Sequence, residues 1–148
     1  MGFIDTIKAR AKADKKTIVL PESEDRRTYE AAAQILKEDL ANLIIIGSEE
    51  AVKKGSEGLD VSKATIVDPE KNEKTHVDKL VELRAKKGMT PEKARETILN
   101  DYTYYGVMMV KMGDADGLVS GACHSTANTL RPCLQILKTK PGTKLVSA

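Results

Sequence analysis

The stretch from Gly113 to Pro132 reads Gly-Asp-Ala-Asp-Gly-Leu-Val-Ser-Gly-Ala-Cys-His-Ser-Thr-Ala-Asn-Thr-Leu-Arg-Pro: a short apolar run, small and hydroxylated residues, then a helical pattern. A strand, a loop of small residues and a helix start together form a common phosphate site, because free N–H groups and the helix dipole converge there. Leu130, Cys133, Leu134 and Leu137 recur at i, i+3, i+4 and i+7, which predicts a helix running to about Lys138. Pro132 fits only a first turn, so Asn128 or Thr129 is expected at the N-cap. Arg131 then opposes the dipole at a cost of about 0.3–1 kcal/mol unless an anion answers it. A phosphate gripped by the Arg131 fork and by the hydroxyls of Ser125, Thr126 and Thr129 would be such an answer. The plainer reading stays open: Arg131 pairs with a surface carboxylate, and the hydroxyls only cap a helix.

Arg84 is the second position of interest, since it shares a helical face with Val77, Leu80 and Val81. It either snorkels at the helix end or points into a site. Cys123 and His124 are chain neighbours, and a nucleophilic dyad needs mutual reach and a third orienting group, so Cys123 is expected to pack as a small residue. Ser120 in Gly117–Gly121 stands one position too late for a nucleophile elbow. Asp114 and Asp116 between glycines are expected in a turn, and neither Cys123 nor Cys133 has C-x-x-C spacing, so no metal site is expected. His76 and the lysines of 71–79 are expected in a solvated loop and helix start.

The elements that must position these residues follow from apolar periodicity. Thr17–Leu20, Leu43–Ile46, Ala64–Val67 and Gly117–Val119 are short apolar runs and read as buried strands. Glu24–Leu40 carries Tyr29, Ala32, Ala33, Leu36 and Leu40 at helical spacing, with Ser23 placed as cap. Ser48 and Thr90-Pro91 open two further helices, Gly106–Met112 is an apolar helix, and Met1–Lys16 reads as an amphipathic one. Asp68–Lys74 is the most polar loop, and Lys144–Ala148 looks like a fifth strand beginning. Fully apolar strands alternating with helices imply the α/β class: a mainly parallel sheet with helices on both faces, in three layers. Residues 1–148 form one unit, without repeats or linkers.

With 24 basic and 22 acidic residues in 148, the balance of +2 offers no electrostatic footprint for nucleic acid. No apolar run approaches the roughly 20 residues of a membrane span. Two isolated cysteines without a secretory signal suggest reduced thiols in a cytoplasm.

Val110–Gly121, His124–Ala127, Thr129–Pro132 and Leu134–Ile136, with Ile18–Glu22, Asp25–Arg27 and Lys87–Thr90 upstream, resemble the phosphate acetyltransferase family over nearly the whole chain. The resemblance implies the N-terminal portion of an enzyme of two α/β domains, usually a homodimer. Such enzymes move acetyl groups between acetyl-CoA and phosphate, through acetyl phosphate, in acetate metabolism. It implies no metal or prosthetic group, coenzyme A being a substrate. It also implies that Arg131 and Arg84 bind phosphate or steady developing charge, and that the aspartate serving as base lies in a C-terminal segment beyond this chain. The family commonly has aspartate where Asn128 stands and a small apolar residue where Cys123 stands. Two other readings stay open: a phosphate butyryltransferase, and a non-catalytic acetyl-CoA-sensing domain.

Overall fold

The computed structural model describes residues 2–144. In chain order these form α1 (Phe3–Ala13), β1 (Thr17–Leu20), α2 (Arg26–Glu38), β2 (Asn42–Ile46), α3 (Glu49–Gly55), β3 (Thr65–Val67) and α4 (Pro69–Arg84). After a 3-10 turn at Ala85–Lys87 come α5 (Pro91–Asn100), α6 (Tyr102–Met112), β4 (Gly117–Leu118) and α7 (Thr126–Pro132), which continues into a π-helical segment, Cys133–Leu137. The four strands are parallel in the order β3-β2-β1-β4, with Val19 opposite Ile44 and Leu118. The expected fifth strand at Lys144–Ala148 lies almost wholly outside the described residues.

Strand side chains alternate between two helical layers, as a pleated strand dictates. Val19, Ile44 and Ile46 pack with Leu80 of α4, Ile98 of α5, Tyr105 and Met108 of α6 and Ile136. Leu20, Leu43 and Ile45 face the other way, onto Tyr29, Ala32 and Leu36 of α2 and Val52 of α3. The chain is therefore a three-layer α/β unit. Gly106 lets α6 settle onto the sheet, since a Cβ there would lie 2.7 Å from Leu118 Cδ1 and 3.0 Å from Val19 Cγ1. Helix α1 buries nothing: Phe3 and Ile4 are 79% and 64% exposed, and Lys8 Nζ holds the helix to Glu38 Oε2 at 2.7 Å.

Several local expectations are corrected. Asp25, not Ser23, caps α2, its carboxylate accepting from Arg27 N at 2.9 Å. The polar stretch after Asp68 is helix, because Asp68 caps it and Pro69 supplies a preset first-turn φ. His76 is accordingly buried, stacked on Tyr105 with ring centroids 4.3 Å apart, and not solvated. Ser48 and Thr90 cap α3 and α5 as expected.

Candidate functional site

Connections from β1 run outward through β2 to β3, then return to place β4 on the far side of β1. The crevice beyond the carboxyl ends of β1 and β4 is thus the switch point at which open α/β sheets bind ligands. The loops after these two strands meet there, and Glu22 joins them.

Glu22 is 2% exposed. Its Oε1 accepts from Gly121 N at 2.6 Å, Ala122 N at 2.8 Å and Ser120 Oγ at 3.1 Å. Its Oε2 accepts from Cys123 N and His124 Nδ1, each at 2.8 Å, and from Cys123 Sγ at 3.1 Å. Three successive backbone N–H groups make an anion nest, and the Glu22 carboxylate fills it. Burial alone would raise this carboxyl, but the N–H groups of Cys123 and Ala122 and the neighbouring side chains hold it well below the ordinary range. Arg27 fixes the loop from outside by donating to Ala122 O at 2.5 Å and to Asp25 Oδ2 at 2.7 Å.

His124 bridges two carboxylates, with Nδ1 on Glu22 and Nε2 3.1 Å from Glu24 Oε1. The hydrogen bond to Glu22 raises its pKa, against some burial. Burial, with hydrogen bonds to Glu22 and Glu24, pushes the Cys123 thiol up to about 12. A protonated thiol beside an imidazole already committed to carboxylates is not an activated nucleophile. Glu22, Cys123 and His124 do bring three ligand-type atoms within 4.8 Å of one another.

Beside this loop pair lies a cleft of about 420 Å³ lined by Pro21, Glu24, Asp101, Tyr102, His124 and Asn128 among others. Its charged walls are the acids Glu24 and Asp101. Helix α7 begins three or four residues earlier than expected, with Ser125 and not Asn128 or Thr129 as the N-cap, its Oγ accepting from Asn128 N at 3.1 Å. Thr126 opens the helix, and Thr129 Oγ1 donates to Ser125 O at 3.0 Å. Pro132 then closes α7, where it has no N–H for the carbonyl four residues back, and the chain widens into the π segment. That change of winding buries Pro132 and Ile136 and leaves Leu134 and Leu137 44% and 38% exposed, contrary to the expected stripe.

Arg131 is exposed, and its Nη1 donates to Asn128 Oδ1 at 3.2 Å. Arg84, at the end of α4, is partly buried, with Nε screened from solvent and unpartnered among the described residues. The two arginines share a neighbour. Burial raises the Tyr104 phenol, while the charges of Arg131 and Arg84 both lower it, and its hydroxyl donates to Gln135 Oε1 at 2.9 Å. Tyr104 of α6 thus feels both arginines, and Arg131 stands in the last turn of α7, not the first as expected, where the helix dipole favours its charge without any anion.

A three-layer α/β unit with its polar loops at the switch point has the architecture in which open sheets hold their ligands. Residues 2–148 match the family described as Phosphate acetyl/butaryl transferase, and the chain belongs to that family. The phosphate acetyltransferase of Acetivibrio thermocellus is 55% identical over 150 residues, covering all of this chain and 45% of that protein. A phosphotransacetylase from Streptococcus pyogenes superposes with a TM-score of 0.88 at 39% identity, over 98% of this chain and 46% of that one. For a phosphotransacetylase from Staphylococcus aureus the values are 0.85, 40%, 96% and 44%. The chain therefore spans about half the length of these relatives.

Glu22 was missed from sequence, since its partners lie 98 to 102 positions away and no periodicity joins them. One signal was available: an acid directly after a wholly apolar strand, at the edge where ligands bind.

Proposed function

We propose that the protein to which this chain belongs is a phosphate acetyltransferase, carrying an acetyl group between coenzyme A and inorganic phosphate, and that this chain supplies its phosphate-side face. The observation that carries the reading is the 55% identity to a phosphate acetyltransferase across the full chain. In the proposed reaction the coenzyme A thiol gives its proton to a base outside this chain. The thiolate then attacks the acetyl carbonyl of acetyl phosphate, the carbonyl–oxygen bond to phosphate breaks, and phosphate leaves as an anion. Coenzyme A is a substrate, and the reaction as proposed calls on no metal or prosthetic group.

Arg131 and Arg84 are the proposed phosphate ligands. Support comes from their common neighbourhood at Tyr104 and from the Arg84 Nε–H, because a buried unpartnered donor costs roughly 1–3 kcal/mol until an acceptor arrives. Ser125 and Thr126 retain hydroxyl protons to donate, whereas Thr129 would have to release the Ser125 carbonyl. Assembly as a homodimer and a cytoplasmic setting belong to the same proposal.

The test is acetyl-CoA formation from acetyl phosphate and coenzyme A, followed by thioester absorbance, with butyryl phosphate in parallel. The complete protein should turn over acetyl phosphate, and the 148-residue chain alone should not, since a positioned base typically contributes about 10²–10⁴-fold. Preference for butyryl phosphate, or binding of acetyl-CoA without turnover by the complete protein, would replace this reading with one of its two rivals.

A further inference from the structure

The hydrogen bonds at the switch point put three side chains of metal-ligand type, Glu22, Cys123 and His124, around one spot, with Glu24 on the far nitrogen of the imidazole. Cys123 Sγ lies 3.1 Å from Glu22 Oε2, 3.4 Å from Glu24 Oε1 and 3.6 Å from His124 Nδ1. His124 Nδ1 lies 2.8 Å from Glu22 Oε2. A tetrahedral ion with oxygen or nitrogen at about 2.0–2.2 Å and sulfur at about 2.3 Å sets its ligand atoms roughly 3.2–3.7 Å apart. Among the three ligand atoms, the two separations from sulfur, 3.1 and 3.6 Å, already fall at or near that range, and the 2.8 Å between oxygen and nitrogen needs only a small opening.

We propose that Glu22, Cys123 and His124, with Glu24 orienting the imidazole from its Nε2 side, form a binding site for one divalent ion of the zinc class. The donor set is thiolate, imidazole and carboxylate with the fourth position left to solvent, which suits zinc or cobalt; magnesium and calcium take oxygen shells. Glu22 can serve without giving up its structural role. Its Oε1 stays on the N–H groups of Gly121 and Ala122 and its Oε2 keeps that of Cys123, while Oε2 also faces the sulfur and the imidazole. The ion takes the place of the thiol proton and of any proton on His124 Nδ1, both leaving to solvent, while Nε2–H stays on Glu24. Glu22 comes from one loop and Cys123 with His124 from another, and only the β1–β4 pairing brings the two loops together. Spacing rules along the chain therefore could not see them. Glu24 and His124 also line the 420 Å³ cleft, so the ion would tie both of its loops together at the wall. The site holds whether or not the acyl-transfer reading does.

The test uses Co²⁺ as the probe on the full chain, followed by absorption of the thiolate-to-cobalt charge-transfer band, with Zn²⁺ then added in competition against a chromophoric chelator. The expected result is one equivalent of Co²⁺, a thiolate band that zinc abolishes, loss of that band in Cys123→Ser and its retention in Cys133→Ser. Glu24→Gln, at a side chain 54% exposed and so harmless to folding, should weaken zinc at least tenfold. Circular dichroism of each variant establishes that it is folded. Absence of a thiolate band at one equivalent, its survival in Cys123→Ser, its loss in Cys133→Ser, or unchanged zinc affinity in Glu24→Gln would overturn the proposal.

Discussion

The Glu22 carboxylate takes six hydrogen bonds from six donor groups on five residues that would otherwise have no reason to converge. Because its carboxyl is held below the ordinary 4.5, it stabilises the fold above that value, and the stabilisation is lost as pH falls from there toward the folded pKa. His124 has the opposite sign. Its pKa is raised above 6.5, so its contribution is complete below that pH and disappears as pH rises through the folded value. Glu22→Gln removes both arms: unfolding by denaturant at several pH values should show a loss of roughly 3 kcal/mol at neutral pH and a flatter profile on each side. Arg131→Lys is expected to behave in the contrary way. Arg131 is exposed and outside the core, so the melting temperature should hold, while phosphate binding and turnover of the complete protein fall roughly ten- to hundredfold with the loss of the planar fork. Kinetics beside a thermal melt check it, and an unchanged turnover would return Arg131 to the role of partner to Asn128.

At the scale of elements, what periodicity and caps control was legible in the sequence. Strand β1 is found where its apolar run stands, and Ser48 and Thr90 start their helices. What failed failed for identifiable reasons. Two cap candidates stood close together before α2, and only packing chose Asp25 over Ser23. At α7 a proline was assigned to the first turn because that is where a missing N–H costs nothing, but the helix tolerates it at the end by widening its winding. Arg131 was expected in the first turn of its helix and stands in the last, and its neighbour Tyr104 was not legible at all, since tertiary packing alone unites α4, α6 and α7. Helix α6 offers a sharp test. Gly106→Ala would force a methyl against Leu118, Val19 and Ile46 at 2.7, 3.0 and 3.2 Å, all three strand residues that cannot retreat far without moving the sheet. A loss of roughly 1–3 kcal/mol is expected by denaturant titration, although alanine is the better helix former.

The molecule as a whole is a sheet whose middle strand is first in the chain and whose edge strand β4 comes last. β1 pairs with β2 over a sequence distance of 25, as Thr17 with Asn42, but with β4 over 99, as Ile18 with Gly117. Every bond from the loop at 120–124 to Glu22 spans a similar distance. Closing a loop of that length must precede any reward from its contacts, so the pairing with β4 and the nest around Glu22 belong late on the folding route. The order in which the chain folds then has a chemical meaning. No partly folded form retaining β1, β2 and β3 alone can present the Glu22 nest, so the binding edge comes into being only with the last act of folding. Stopped-flow kinetics should record this as an asymmetry: Glu22→Gln speeds unfolding by nearly the whole of its stability loss and leaves the refolding rate almost unchanged. A slowed refolding limb would place the nest in the nucleus instead.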